Sequence, residues 1–213
     1  MTEQFAALVL AAGESRRMGE PKQLLPWGAQ TIIEQIVETL LAAPVDDILV
    51  VLGHRADEVG AKVTARAARS DRGGRVRTTL NPDYRAGMLG SLQHGIRALP
   101  ASTRAAFIVL CDQPQLKAST LRTLRAAFEG SGRGVVVPSF DMRRGHPLLI
   151  DLERYRAEIL AIDGAPGLQK LLRDHPDDIH HVNFDDPSVL ADLDTRAEYE
   201  RARSENRGPG HTE

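Results

Sequence analysis

The sequence predicts one α/β domain: a Rossmann-like, mostly parallel sheet with helices on both faces. Uninterrupted apolar runs at residues 5–10, 48–52 and 107–110 have the length and composition of strands buried on both sides. Between them lie stretches with apolar residues at helical spacing, the first being Ile32, Ile33, Ile36, Val37, Leu40 and Leu41. The two kinds alternate, as they do where helices cover a parallel sheet. At 213 residues, with no internal repeat and only loop-sized glycine stretches at 73–74 and 130–134, the chain reads as a single unit.

Taken in order, strand 5–10 ends at Ala11-Ala12-Gly13, and Thr31 caps a helix over 31–41 with Pro44 beyond it. Strand 48–52 stops at Gly53, which completes a βαβ unit with a right-handed crossover. Helix 56–68, strand 76–80, helix 89–99 and strand 107–110 continue the alternation. Helix 119–128 keeps Leu121, Leu124, Ala127 and Phe128 on one side, and strand 135–137 is stopped by Pro138. Residues 146–150 form a short strand entering helix 152–160, 179–183 a more polar edge strand, and 198–203 a charged surface helix. Leu24, Leu25 and Trp27 pack as core behind the first loop. The domain spans 1–203, and the polar tail 204–213 is expected to be disordered.

Composition narrows the partners. A net charge of −2 supplies no basic field for a nucleic-acid backbone, so a small ligand is expected and no nucleic acid. The single cysteine, Cys111, allows neither an internal disulfide nor a cysteine-based zinc site. The start of the chain has no basic leader, and the apolar run at 6–12 is too short for a signal peptide or a membrane span. A cytoplasmic protein with no membrane partner is expected.

Ligands of open parallel sheets bind beyond the carboxyl ends of the strands, so the loops there carry the candidate chemistry. The loop 11–22 combines small residues with Arg16, Arg17 and Lys22, and reads as a triphosphate cradle or as a tight turn with solvated arginines. It contains neither a Walker loop nor the Gly-x-Gly-x-x-Gly dinucleotide fingerprint. Asp112, in Cys111-Asp112-Gln113-Pro114, is suited to Mg²⁺, which favours one or two carboxylates with phosphate and water, or to a turn cap. Asp194 is a second metal ligand or the cap of the last helix. In the loop 81–92, Ser91 and the glycines face a nucleobase or form a helix entry. Arg144 and His146 offer donors to an acceptor, or shape a turn. His54 and Arg55 lie on the ligand side or in a surface turn, and the histidines at 175, 180 and 181 read as solvated rather than as a metal site.

Together these loops resemble a known family. Leu10-Ala11-Ala12-Gly13-x-Ser15-x-Arg17-Met18-Gly19-x-Pro21-Lys22 is similar to the signature loop of MobA-like nucleotidyltransferases, most of all the molybdenum cofactor cytidylyltransferases. Asn81-Pro82, Gly87-Met88, Ser91-Leu92, Asp112-Gln113-Pro114, Arg144-Gly145-His146-Pro147 and Asp192-Leu193-Asp194-Thr195 resemble its later motifs in the same order, from about residue 8 to 199. The resemblance implies the nucleotide-diphospho-sugar transferase type of fold. It implies nucleotide contacts from Leu10, Ala11, Ala12, Gly13, Gly87 and Ser91, triphosphate contacts from Arg17 and Lys22, and Mg²⁺ on Asp112 with Asp194. Arg144 and His146 would hold the acceptor, molybdopterin, and a cofactor-receiving enzyme or chaperone would be the protein partner. Ala12 resembles the cytidylyl members, where guanylyl members usually carry glycine, and therefore implies CTP. The chain departs from the pattern at Cys111, commonly glycine, and at 162–167, where Pro166 stands in place of an arginine.

The reaction so implied is in-line attack of an acceptor phosphate on the α-phosphorus, with Lys22, Arg17 and Asp112 as catalytic residues. Two alternatives remain: the same chemistry on a sugar phosphate or another cofactor precursor, and a regulatory module that binds nucleotide without turnover.

Overall fold

A computed structural model describes residues 4–164 and 167–206. The first three residues of the stretch read for a leader, Ala165 and Pro166 of the divergent segment, and residues 207–213 of the tail lie outside them.

β1 (Gln4–Leu10) leads to a small antiparallel hairpin, β2 (Pro26–Trp27) and β3 (Gln30–Thr31), which periodicity does not predict because two-residue strands have no period. α1 (Ile32–Leu41) starts at Thr31 with a capping box, the Glu34 carboxylate accepting the Thr31 N–H at 2.9 Å. β4 (Asp47–Leu52), α2 (Ala56–Ala67), β5 (Val76–Leu80), α3 (Met88–Ala98), β6 (Thr103–Leu110) and α4 (Ala118–Ser131) fall close to the expected positions. β7 (Val135–Phe140), β8 (Arg143–Arg144), β9 (Leu148–Asp151), α5 (Leu152–Ala161), α6 (Gln169–Asp174), β10 (Ile179–Asn183) and α7 (Arg196–Asn206) complete the chain.

The main sheet runs β10-β7-β9-β6-β1-β4-β5, with β8 added to β7. β1 pairs in parallel with β4 and β6, β4 with β5, and β7 with β10, whereas β9 lies antiparallel between β6 and β7. Side chains alternate across it. Phe5, Ala7 and Val9 pack under α1, α2, α4 and α7, while Ala6 and Leu8 pack under α3, α5 and α6. A Cβ at Gly95 would lie 2.4 Å from the Leu8 side chain, so glycine there lets α3 sit close on the sheet.

Three expectations need correction. Pro138 does not end its strand: β9 is paired with β7 only as far as Val136, and the Pro138 carbonyl accepts from Gly145 N–H at 2.8 Å. The nitrogen of a strand residue points to the same side as its carbonyl, so the missing N–H falls beyond the last β7–β9 pair and leaves the pairing of β7 with β10 intact. The boundary at 203 falls inside α7, whose last turn takes in residues 204–206. α6 was not expected at all; at six residues it is too short to show a helical period.

Candidate active site

The parallel strands β1, β4, β5 and β6 present their carboxyl ends on one side, where their loops enclose a cavity of about 420 Å³. Ser15, at a left-handed φ of 54°, turns the first loop back on itself, and its hydroxyl accepts the Lys22 N–H at 3.0 Å. Buried Gln23 donates through Nε2 to the carbonyls of Ala11 (3.0 Å) and Gly13 (3.1 Å), which holds those acceptors away from an incoming anion.

Lys22 Nζ sits 2.9 Å from Asp194 Oδ1 and 3.3 Å from Asp112 Oδ2, and Arg17 approaches Asp194 at 3.0 Å. Asp112 follows β6 and its carbonyl accepts the Leu193 N–H at 3.0 Å, which ties the segment before α7 to the sheet. Neither acid caps a helix. Lys117 is the residue that precedes α4, and the start of α7 is closed by Thr195 and Glu198, whose side chains each accept the other's N–H at 3.2 and 2.7 Å. Burial pushes the Asp112 carboxyl above the usual carboxylate range despite Lys22 beside it, and the nearby Asp192 adds to the rise. Asp194 is held below that range, chiefly by its hydrogen bond from Lys22.

Asp112 Oδ1 is buried without a hydrogen-bond partner. An unpartnered carboxylate oxygen beside a second carboxylate is a donor set that fits a hard divalent cation. Among the described residues no group of three or more His, Cys, Asp or Glu could hold a metal. A site of two carboxylates completed by phosphate and water is the kind that Mg²⁺ prefers.

Of the nucleotide and metal residues singled out in the sequence, all but Ala11 line this cavity. Ala11 is buried in the core and donates its N–H to the Val51 carbonyl at 3.0 Å, so it supports the loop from behind. Gly87 begins α3 at a φ of 112°, and Ser91 receives a hydrogen bond from Asn81 Nδ2 at 3.1 Å. Gln23 and Tyr84 also line the cavity and were not singled out; their only signal is adjacency to the motifs. Asp192, quoted only as part of a motif, lines it too and accepts from Gln113 Nε2 at 2.7 Å. Between the loops after β1 and β5, Glu14 accepts from Arg16 Nε (2.6 Å) and Arg85 Nε (2.7 Å), which lowers its carboxyl to about 2.

Arg144 and His146 line a second cavity, of about 770 Å³, which shares Leu10, Met88 and Leu110 with the first. Burial lowers the His146 pKa. His54 and Arg55 line neither of these two cavities: His54 N–H donates to the Ala12 carbonyl at 3.0 Å, and Arg55 pairs with Glu58. His175 pairs with Glu158 at 2.9 Å, apart from His180 and His181 on β10. Burial pushes the Cys111 thiol up, which disfavours its thiolate. No helix among the described residues is long and apolar enough to cross a membrane.

Residues 7–179 match the model of the MobA-like NTP transferase domain. The chain is 32% identical to nicotine blue oxidoreductase of Paenarthrobacter nicotinovorans, over 88% of this chain and 91% of that one. It is 26% identical to the molybdenum cofactor cytidylyltransferase of Escherichia coli, over 92% and 94%, and other similar proteins carry the name of probable guanylyltransferases. A solved nucleotidyl transferase from Methanothermobacter thermautotrophicus superposes with a TM-score of 0.78 at 26% identity, covering 97% of this chain and 99% of that one. The family model matches most of the chain, and Lys22 with its two carboxylates lies in the cavity beyond the strand ends: the chain belongs to the MobA-like NTP transferase family.

Proposed function

We propose that the protein transfers CMP from CTP to a phosphate-bearing small molecule and releases pyrophosphate. The observation that carries this reading is Lys22 held between Asp112 and Asp194 in the cavity at the strand ends. An oxygen of the acceptor phosphate attacks the α-phosphorus, the bond from that phosphorus to the bridging oxygen breaks, and pyrophosphate leaves with the electron pair. A phosphate monoester is already anionic, so the step needs no general base. Lys22 and Arg17, drawn from their carboxylates to the triphosphate, stabilise charge on the bridging oxygen and the leaving group. Asp112 and Asp194 would hold Mg²⁺, which supplies Lewis-acid neutralisation at the phosphoryl oxygens.

Ala12 supports cytosine over guanine, and Arg144 with His146 supports molybdopterin as acceptor, both through the resemblance of their motifs. Pyrophosphate release is the test, measured with CTP or GTP, Mg²⁺ and a panel of phosphorylated acceptors that includes molybdopterin. Turnover with CTP is expected; a preference for GTP would overturn the base. Binding of nucleotide without release by any acceptor would leave only the regulatory module. The relative named as an oxidoreductase favours a second reading, a redox enzyme on the same fold. Oxidation of NADH or NADPH coupled to the reduction of an added quinonoid dye, with no nucleoside triphosphate present, would favour it.

A further inference from the structure

Two buried polar side chains, one on each side of the loop between β5 and α3, decide what a nucleobase meets in the smaller cavity, an inference that rests on the CTP-transfer reading. Asn81 follows β5 and is 3% exposed; Ser91 lies in the first turn of α3, is 4% exposed and lines that cavity. Asn81 is pinned at three points. Its N–H donates to the Leu52 carbonyl at 2.8 Å, its Oδ1 accepts the Asp83 N–H at 3.1 Å, and its Nδ2 donates to Ser91 Oγ at 3.1 Å. These partners fix which way round the amide lies, because turned over it would set its own N–H against that of Asp83.

A serine hydroxyl carries one proton and two lone pairs and rotates to suit its surroundings. Here the Asn81 amide occupies one lone pair, and among the described residues Ser91 Oγ donates no hydrogen bond in return. Buried polar groups find partners, so a ligand that fills the cavity satisfies this proton with an acceptor. Cytosine and uracil differ at two edge positions. Cytosine has an acceptor at N3 and an amino donor beside it, where uracil has an N3–H donor and an acceptor oxygen; O2 accepts in both. With cytosine as the base, a donor therefore gains selectivity only at N3. A hydroxyl whose proton could turn to another protein acceptor would instead offer a lone pair, and that suits the N3–H of uracil.

We infer that Asn81, which does not itself line the cavity, is a positioning residue that sets the Ser91 hydroxyl as a hydrogen-bond donor to N3 of cytosine and so makes the site select CTP over UTP.

The test is calorimetric titration of CTP and UTP, each with Mg²⁺, into the full-length protein and its variants at mildly alkaline pH, with pyrophosphate release followed in parallel. Asn81→Asp keeps the oxygen that accepts from Asp83 but has no N–H for Ser91, so the serine proton turns to the carboxylate and a lone pair faces the base. The ratio of CTP to UTP affinity should fall at least about tenfold, since cytosine N3 then meets a lone pair and uracil N3–H gains an acceptor. Asn81→Ser, whose shorter hydroxyl can still serve Asp83 but does not span to Ser91, should lower the ratio as well, and it carries the test if the aspartate variant melts early. Ser91→Ala should also lower the ratio, and in that background neither Asn81 substitution should move it by more than about twofold. A purely structural role for Asn81 would weaken both nucleotides alike and leave their ratio unmoved. Such an unmoved ratio in the folded Asn81 variants, the same change with and without the Ser91 hydroxyl, or a parent protein that binds UTP as tightly as CTP overturns the inference. The two readings fail separately. Selectivity that depends on both side chains, with no pyrophosphate released by any acceptor, removes the transfer reading and keeps this one, whereas release with a ratio that Asn81 does not move does the reverse.

Discussion

The proposed nucleotide half of the site and the proposed acceptor half are adjoining cavities with contrasting linings. Around the smaller cavity charged side chains are already tied to one another, Lys22 to Asp112 and Asp194, and Arg17 to Asp194. Around the larger one they are mostly leucines, with Arg144, His146 and Arg173 among them. The contrast assigns different kinds of failure to the two halves. Loss of a charge in the first should act on the transition state, where negative charge moves, and loss of a contact in the second should act on acceptor binding.

Asp112→Asn is expected to give the largest effect, a fall in metal-dependent turnover on the order of 10²–10³-fold, the scale for loss of a preorganised charge-stabilising group. The variant should stay folded, because it removes a carboxylate whose charged form burial already disfavours, and its melting temperature should equal or exceed that of the parent protein. Wild-type turnover at low Mg²⁺ would show that Asp112 is no metal ligand and transfer the role to Asp194. Lys22→Ala comes next. Its kcat should fall further than its CTP affinity does, and equal losses in both would mark it as a ground-state phosphate clamp. Arg144→Ala should raise the acceptor KM by roughly tenfold, the worth of a hydrogen bond to a charged group, with CTP binding unchanged. A drop in CTP affinity of the same size would erase the distinction between the halves.

The same contrast decides how much could be read without coordinates. Lys22 and its carboxylates are 90 and 172 residues apart, yet each follows a strand or sits in a motif, so their types and places are visible locally. Strand-end position does the rest, since parallel strands aim their following loops at one region. The acceptor cavity has no such local signature. Its leucines come from several separate elements, among them the short β9 and α6, and a leucine that faces a ligand has the same spacing as one that faces the core. Arg144 and His146 are legible as donors, but the apolar room they border is not. Gln23 escaped for a different reason: it lies one residue past Lys22, and its contribution is to bind main-chain carbonyls, which no side-chain pattern reports.

The smallest expected effect tests whether the bridge between two loops of the proposed nucleotide site matters. Glu14 lies outside the residues that carry the family resemblance, yet it joins the loop after β1 to the loop after β5 through Arg85. Its carboxyl is lowered from 4.5 to about 2, first by the bond from Arg85 and then by that from Arg16. A lowered carboxyl stabilises the folded state above its unfolded value, and that contribution is lost as pH falls from about 4.5 towards 2, so at neutral pH the bridge is fully charged. Both arginines are largely exposed, and exposed pairs contribute little and weaken with salt. Glu14→Gln should therefore raise the CTP KM only about two- to fivefold at low ionic strength, with kcat nearly unchanged and the difference shrinking as salt is added. KM and kcat measured across a salt series give the answer. A loss of kcat comparable to that of Lys22→Ala, persisting at high salt, would mean that Glu14 takes part in the transition state and that the charged half extends to its rim.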